Sequence, residues 1–166
     1  MNERELYPHV VTWLSSFLRD RYKRSKIDVY DTSAKMLSTF LYEKGLSDLF
    51  PCSDAFEIQV DITGVIRSTK RARLAFVECK THTVSLKDVS QLLGYSLVAR
   101  PLFSFLVSTG SVSTSVWKLV ENLNYLDILK YDDKRYIRIC QWDTLRKEVM
   151  INSVIPRGMQ FPLSPD

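Results

Sequence analysis

Cysteine, histidine and long apolar runs are all scarce in this sequence. Its 166 residues include three cysteines and two histidines. Cys52, Cys79 and Cys140 form no CxxC pair, so no zinc pattern appears. Their number also excludes a four-cysteine iron–sulfur cluster within one chain. We therefore expect reduced thiols, most of them buried.

No apolar segment approaches the roughly 20 residues that a membrane-spanning helix needs. The N-terminus begins with charged residues and lacks the apolar stretch of a secretory signal peptide. Charged residues make up 25% of the chain and hydrophobic residues 45%, which is ordinary for a soluble globular protein. These features predict a soluble, cytoplasmic protein without a membrane partner, and the length predicts one domain over residues 1–166.

Basic residues outnumber acidic ones, and they are unevenly distributed. The formal net charge of +4 is compatible with a polyanionic partner without establishing one. One cluster lies near the end of the first predicted helix and another in a short loop between two predicted strands; their members are Arg19, Arg21, Lys23, Arg24 and Lys26, and Arg67, Lys70, Arg71 and Arg73. Either cluster alone is more typical of a solvated face than of a binding site, so its meaning depends on its position relative to the acidic residues.

Hydrophobic periodicity predicts an α/β protein. Apolar residues recur at helical spacing in four segments, which are 3–22, 33–44, 85–97 and 113–123. Asp31 or Thr32 is the expected cap of the second helix, and Gly45 its end. Strands are predicted at 27–30, 56–63, 74–80 and 102–107, with weaker ones at 125–131 and 136–142. No internal repeat or linker divides the chain.

Three charged residues fall on two successive predicted strands. Asp61 lies on the polar side of the first strand, and Glu78 and Lys80 lie two residues apart on the second. Because side chains at i and i+2 of a strand share a face, pairing of the strands would bring Asp61 close to the other two. Burial of each charge costs roughly several kcal/mol of solvation, which pairing only partly returns. A bound divalent metal would explain the arrangement.

These residue types suit metal-assisted hydrolysis of a phosphodiester. Mg²⁺ is usually bound by one or two carboxylates together with waters and substrate phosphates, and Asp61 and Glu78 supply such carboxylates. The backbone carbonyl of Cys79 is a further candidate ligand. Lys80 would orient or help to deprotonate the attacking water and offset charge on the phosphorus. A structural explanation stays open, in which Glu78 and Lys80 form an ordinary surface pair in an α/β protein of another function.

Asp61, followed after a hairpin by Glu78-Cys79-Lys80, resembles the Asp…(Asp/Glu)-x-Lys signature of the PD-(D/E)XK nuclease superfamily. The proline that precedes the aspartate in that signature is absent here. Gln91 and Tyr95, one turn apart on the following helix, are similar to the Q-x-x-x-Y element of RecB-type members, which helps hold the metal site and the DNA. A surface glutamine and a core tyrosine are the structural alternative.

The first helix of this superfamily often contributes a glutamate to the metal site. The string Glu3-Arg4-Glu5-Leu6 is similar to the start of archaeal Holliday-junction resolvases, where the first glutamate serves. Glu5 precedes the apolar stripe more directly and is preferred here, with Glu3 left open. Acidic residues are also favoured in a first helical turn by the helix dipole alone.

The resemblance covers roughly residues 3–110 and implies a restriction-endonuclease-like three-layer fold, with a mixed central sheet flanked by helices. It implies a Mg²⁺-dependent nuclease, with Mn²⁺ as a substitute, that cleaves DNA, and RNA is left open. No base-reading module is recognisable, so a structure-selective, repair or defence enzyme is expected, in the form of a homodimer. The alternative is a catalytically inactive nucleic-acid-binding protein of the same fold.

Overall fold

A mixed six-stranded β-sheet with helices on both faces forms the centre of the computed structural model, which describes residues 2–158. The helices are α1 (Glu3–Arg21), α2 (Leu37–Glu43), α3 (Leu86–Ala99) and α4 (Thr114–Trp117). The strands are β1 (Lys26–Asp31), β2 (Ile62–Arg67), β3 (Ala72–Lys80), β4 (Phe103–Ser108), β5 (Lys130–Asp132), β6 (Arg135–Tyr136), β7 (Arg138–Asp143) and β8 (Glu148–Val149). The predicted α/β class is confirmed.

The strand order in the large sheet is β1-β2-β3-β4-β7-β8. β1, β2 and β3 are antiparallel neighbours, β3, β4 and β7 are parallel, and β8 returns antiparallel to β7. In the β2–β3 pair Ile62 lies opposite Val77 and Arg67 opposite Ala72. The residue before β2 is therefore level with Glu78, and the hairpin turn lies at the far end of both strands.

The sheet separates two hydrophobic cores. On one face, the stripe of α1 that contains the fully buried Leu6, Leu14 and Leu18 packs against alternate residues of β3 and β4, including Val77 and Phe105. On the other face, α2, α3 and α4 cover the intervening residues. Because β3 and β4 are covered on both faces, their sequences read as nearly continuous apolar runs.

The predicted strand over 56–63 is wrong over residues 56–61. Phe56, Ile58 and Val60 are buried alternately as the pattern indicated, but the sheet pairing begins only at Ile62. Backbone carbonyls of this segment accept hydrogen bonds from the start of α2 instead, since the Ile58 carbonyl accepts the N–H of Leu37 at 2.7 Å. An extended segment can therefore bury alternate side chains without entering the sheet.

The second helix is also shorter than predicted, because it begins at Leu37. Neither predicted cap is used: the Thr32 hydroxyl donates to the carbonyl of Val60 at 2.6 Å, and Asp31 accepts from Ser33. Gly45 follows the helix in the left-handed conformation, with φ of 65°, as expected.

The C-terminal third departs furthest from the predicted pattern. In the predicted strand over 125–131, Leu126–Ile128 form a short 3₁₀ turn and only Lys130 and Tyr131 lie in a strand, β5. The fourth helix continues as a π-helical turn over Lys118–Asn122. Cys79 and Cys140 are buried as expected, while Cys52 is exposed. None of the helices within residues 2–158 combines the length and apolar character needed to cross a bilayer.

Gly64 of β2 allows the close approach of α1 to the sheet. A Cβ atom at this position would lie 2.8 Å from Leu18 Cδ1 and 3.3 Å from Leu14 Cδ2, and both leucines are fully buried. We expect Gly64→Val to lower the free energy of unfolding by about 1–3 kcal/mol, as overpacking of a core does. Urea denaturation measures the change.

Gly94 on the exposed face of α3 offers the matched control. A Cβ atom there meets nothing within 4 Å, so Gly94→Val should change the free energy of unfolding by no more than about 0.5 kcal/mol. Equal effects of the two substitutions would contradict the packing argument.

Candidate active site

The Asp61 carboxylate takes the place of a backbone carbonyl at the point where β2 begins. The Val60 carbonyl, which would continue the ladder towards β3, accepts the Thr32 hydroxyl instead. The Asp61 Oδ2 atom accepts the N–H of Cys79 at 2.8 Å, and Oδ1 accepts the Tyr7 hydroxyl at 2.8 Å. Asp61 is thus fixed by both α1 and β3 while its side chain stays partly exposed.

Glu78 and Lys80 lie on the α3 side of β3, as their spacing predicted. They are 3% and 9% exposed, and the Lys80 ammonium lies 3.0 Å from Glu78 Oε1. Gln91 of α3 donates to the same oxygen at 3.3 Å, and its amide also lies 3.2 Å from the Tyr95 hydroxyl. The second oxygen, Oε2 of Glu78, is buried without a hydrogen-bond partner among the described residues. A buried carboxylate therefore keeps one oxygen free for a ligand.

Burial and the nearby Asp61 charge raise the pKa of Glu78 to about 7, although Lys80 and the backbone N–H of Asp61 oppose the shift. Burial lowers the pKa of Lys80, but the attraction of Glu78 outweighs it and the net shift is upward. Lys80 is therefore an ammonium ion at neutral pH. Burial and the hydrogen bond to Asp61 also raise the pKa of Tyr7, so that its hydroxyl remains a donor.

The loop after β4 fixes the end of β3 next to these side chains. The N–H of Thr109 donates to the carbonyl of Lys80 at 3.1 Å, and the Ser108 hydroxyl donates to the carbonyl of His82 at 2.6 Å. A Cβ atom on Gly110 would lie 2.5 Å from that same His82 oxygen, so only glycine permits the contact. Because backbone groups of successive strand residues point to opposite sides, the Cys79 carbonyl points away from β4 and towards Asp61.

The two N-terminal glutamates have different surroundings, and Glu5, which the sequence favoured, contacts Asn2. Glu5 forms a capping box with Asn2: its carboxylate accepts the Asn2 backbone N–H at 3.2 Å and the Asn2 side-chain amide at 3.1 Å. Glu3 instead lines a cleft of about 520 Å³ together with Tyr7, Asp61 and Thr81. Glu3 lies four residues before Tyr7, and such positions share one helix face. The three-residue spacing of Asn2 and Glu5 is typical of a capping box, so the sequence contained a signal for this role.

Comparison with known proteins gives no family. No family model, curated protein or solved structure matches this chain. The geometry of the site is therefore the basis for any function assigned to it.

The structure brings together most of the side chains that the sequence singled out. Glu78, Lys80, Gln91 and Tyr95 form one hydrogen-bonded chain, and Asp61 lies beside it. Tyr7 was missed, because a tyrosine on an apolar helical stripe gives no sign that its hydroxyl reaches a carboxylate. Within residues 2–158, no three His, Cys, Asp or Glu side chains form a cluster able to hold a metal. Any cation bound here would depend on the two carboxylates, backbone oxygen and ligand oxygens.

The raised pKa of Glu78 predicts a fall in stability with rising pH. The unfolded carboxyl loses its proton near its ordinary value of 4.5 and the folded one near 7, so the folded state holds more protons between these values. The free energy of unfolding should therefore fall by on the order of 3 kcal/mol between pH 4.5 and 7 from this group, and stay level above. Urea denaturation in EDTA measures it, with Glu78→Gln as the control. Parallel pH profiles for the two proteins would refute the assignment.

Proposed function

We propose that this protein is a metal-dependent nuclease that hydrolyses phosphodiester bonds in DNA. The observation that carries the proposal is the buried Glu78 carboxylate, whose free Oε2 atom lies in a site shared with Asp61 and the Lys80 ammonium. The order of elements, with three antiparallel strands followed by a helix and a parallel strand, agrees with the restriction-endonuclease-like fold. The resemblance of Asp61 and Glu78-Cys79-Lys80 to the superfamily signature supports the same function.

The oxygen atoms of the site fit Mg²⁺ or Mn²⁺. These ions prefer carboxylate, carbonyl and water oxygens, and Mg²⁺ commonly uses only one or two protein carboxylates. Glu78 Oε2 has no competing hydrogen bond from residues 2–158, and each Asp61 oxygen has a second lone pair. The Cys79 carbonyl points to the same side. A cation would also offset the repulsion between Asp61 and Glu78 that raises the pKa of Glu78.

The roles of the side chains follow from their charges. Asp61 and Glu78 would hold the divalent cation, which would supply Lewis-acid activation of water and neutralise phosphate charge. Lys80, paired with Glu78, would stabilise the negative charge that develops on the phosphate oxygens. The water oxygen forms a bond to phosphorus and its proton passes to solvent, while the bond from phosphorus to the leaving oxygen breaks and that oxygen takes up a proton from solvent. Gln91 and Tyr95 position Glu78.

A nucleic-acid-binding protein without catalysis is the second candidate. It is favoured by the internal pairing of the site, because Asp61 accepts two hydrogen bonds and Glu78 is already paired with Lys80. These contacts hold the side chains in place without a metal. Nuclease activity and metal binding separate the two functions, and the homodimer remains an expectation from the resemblance alone.

Cleavage of DNA should need both the cation and the three charged residues. With Mg²⁺ or Mn²⁺ and a mixture of plasmid, single-stranded and branched DNA, we expect cleavage that EDTA abolishes. Asp61→Asn and Lys80→Ala should each lower the rate at least about a hundredfold, because each removes a group that acts on the developing charge. Gel assays of the initial rate measure the change.

Exposed residues of the same chemistry serve as controls. Glu57→Gln and Lys134→Ala remove one charge each from solvated positions and should leave the rate unchanged. Isothermal titration with Mn²⁺ should show binding to the wild type that Asp61→Asn weakens. DNA binding without either Mn²⁺ binding or cleavage would sink the nuclease assignment and favour the second candidate.

The two N-terminal glutamates form a matched pair for a sharper test. Glu3→Gln should lower the cleavage rate, because Glu3 lines the cleft next to Asp61, whereas Glu5→Gln should leave the rate unchanged. Loss of the Glu5 charge should instead lower the free energy of unfolding by about 0.5–1 kcal/mol through the helix cap. Rate and urea denaturation are measured for both proteins. A lower cleavage rate for Glu5→Gln than for Glu3→Gln would identify Glu5 as the ligand.

A further inference from the structure

The two basic clusters of the sequence meet in one cleft. It has a volume of about 570 Å³ and lies between the C-terminal end of α1 and the β2–β3 hairpin. Five cations and one carboxylate line it, which are Arg21, Lys23, Arg24, Arg71, Arg73 and Asp20. These groups come from segments far apart in the sequence, so their meeting is a property of the fold. We call this site the basic cleft.

Three of the five cations in the basic cleft have no ion-pair partner among the described residues. Lys23, Arg24 and Arg71 are exposed, and across residues 2–158 they take part in no ion pair. Arg21 is held in place, since its guanidinium lies 3.7 Å above the Phe17 ring and donates to the Phe17 carbonyl at 3.3 Å. Like charges gathered in a concave site repel one another, and a bound polyanion relieves that repulsion.

The basic cleft and the candidate active site lie at opposite ends of the same two elements. The helix α1 runs from Glu3 at the acidic end to Arg21 at the basic end, a rise of about 27 Å at 1.5 Å per residue. The strand β3 runs from Lys80 back to Ala72, which is about 26 Å at 3.3 Å per residue. The two estimates agree. A separation of this size equals about eight base pairs of duplex at 3.4 Å each.

We propose that the basic cleft binds the phosphate backbone of the nucleic acid whose scissile phosphate lies at Asp61 and Glu78, about eight base pairs away. The proposal rests on the proposed function in taking the ligand to be nucleic acid. A ligand that spans about eight base pairs would contact both sites, which accounts for the distance between the cations and the acids. At the acidic end, binding of a phosphate needs a cation, whereas at the basic end the protein supplies the positive charge itself. The basic cleft therefore holds DNA in the absence of metal.

Metal-free binding tests the proposal. Fluorescence anisotropy in EDTA measures the affinity for duplexes of 6 to 24 base pairs over a range of salt concentrations. The test variant is Lys23→Gln/Arg24→Gln/Arg71→Gln, and the control Lys118→Gln/Lys134→Gln/Arg146→Gln removes the same charge from other exposed positions. We expect the salt slope of log affinity to shrink by about 3 in the test variant, one for each cation, and to stay unchanged in the control.

The length series adds an independent readout. Wild-type cleavage in Mg²⁺ should rise steeply once the duplex on one side of the cut exceeds about eight base pairs, and this rise should be absent in the test variant. Equal salt slopes for wild type and test variant would overturn the proposal. So would a test variant that loses affinity for anionic vesicles and keeps it for DNA.

Failure of the two proposals is distinguishable. If the test variant loses metal-free affinity while the wild type neither binds Mn²⁺ nor cleaves, the basic cleft stands and the nuclease function falls. If Lys80→Ala abolishes cleavage but the test variant keeps the wild-type salt slope and length dependence, the nuclease function stands and the basic cleft falls.

Discussion

The hydrogen bonds of the Asp61 carboxylate determine the arrangement of everything around it. One oxygen is held by the Tyr7 hydroxyl of α1 and the other by the Cys79 N–H of β3. The Val60 carbonyl accepts the Thr32 hydroxyl and therefore does not pair with β3. The Asp61 carboxylate takes its place as the acceptor of the Cys79 N–H. The chain can turn away from the sheet at this point without leaving a buried N–H unpaired. These two hydrogen bonds fix the helix, the strand and the acidic group relative to one another.

The second constraint is electrostatic. Glu78 is buried beside another carboxylate, an arrangement that raises the pKa of Glu78 and opposes folding at neutral pH. Lys80 and Gln91 both donate a hydrogen bond to Oε1 of Glu78, so the groups that stabilise the carboxylate lie on one side of it. A protein that needed only stability would be served as well by apolar residues here. Binding of a cation by the other oxygen, Oε2, would explain why only Oε1 is hydrogen-bonded.

Local spacing predicted much of this site. The period of two placed Glu78 and Lys80 on one face of β3, and the period of four placed Gln91 and Tyr95 together on α3. What the sequence did not show depends on contacts between distant segments. The start of α2 is set by the carbonyls of Phe56 and Ile58, and the Tyr7 hydroxyl reaches an acid that comes 54 positions later. Hydrophobic periodicity carries no information on such contacts.

The pairing of β2 with β3 gives the turn between them an unusual restriction. Side chains along a strand alternate between faces, so a slip of one residue would move Glu78 and Lys80 from the α3 face to the α1 face. The same slip would turn Arg73, at the other end of β3, to the opposite face of the sheet. Most surface turns tolerate added or lost residues. The length of this turn determines which face of the sheet carries the side chains of both the candidate active site and the basic cleft. Changes of turn length should therefore be rarer here, among proteins of this kind, than replacements of the turn residues themselves.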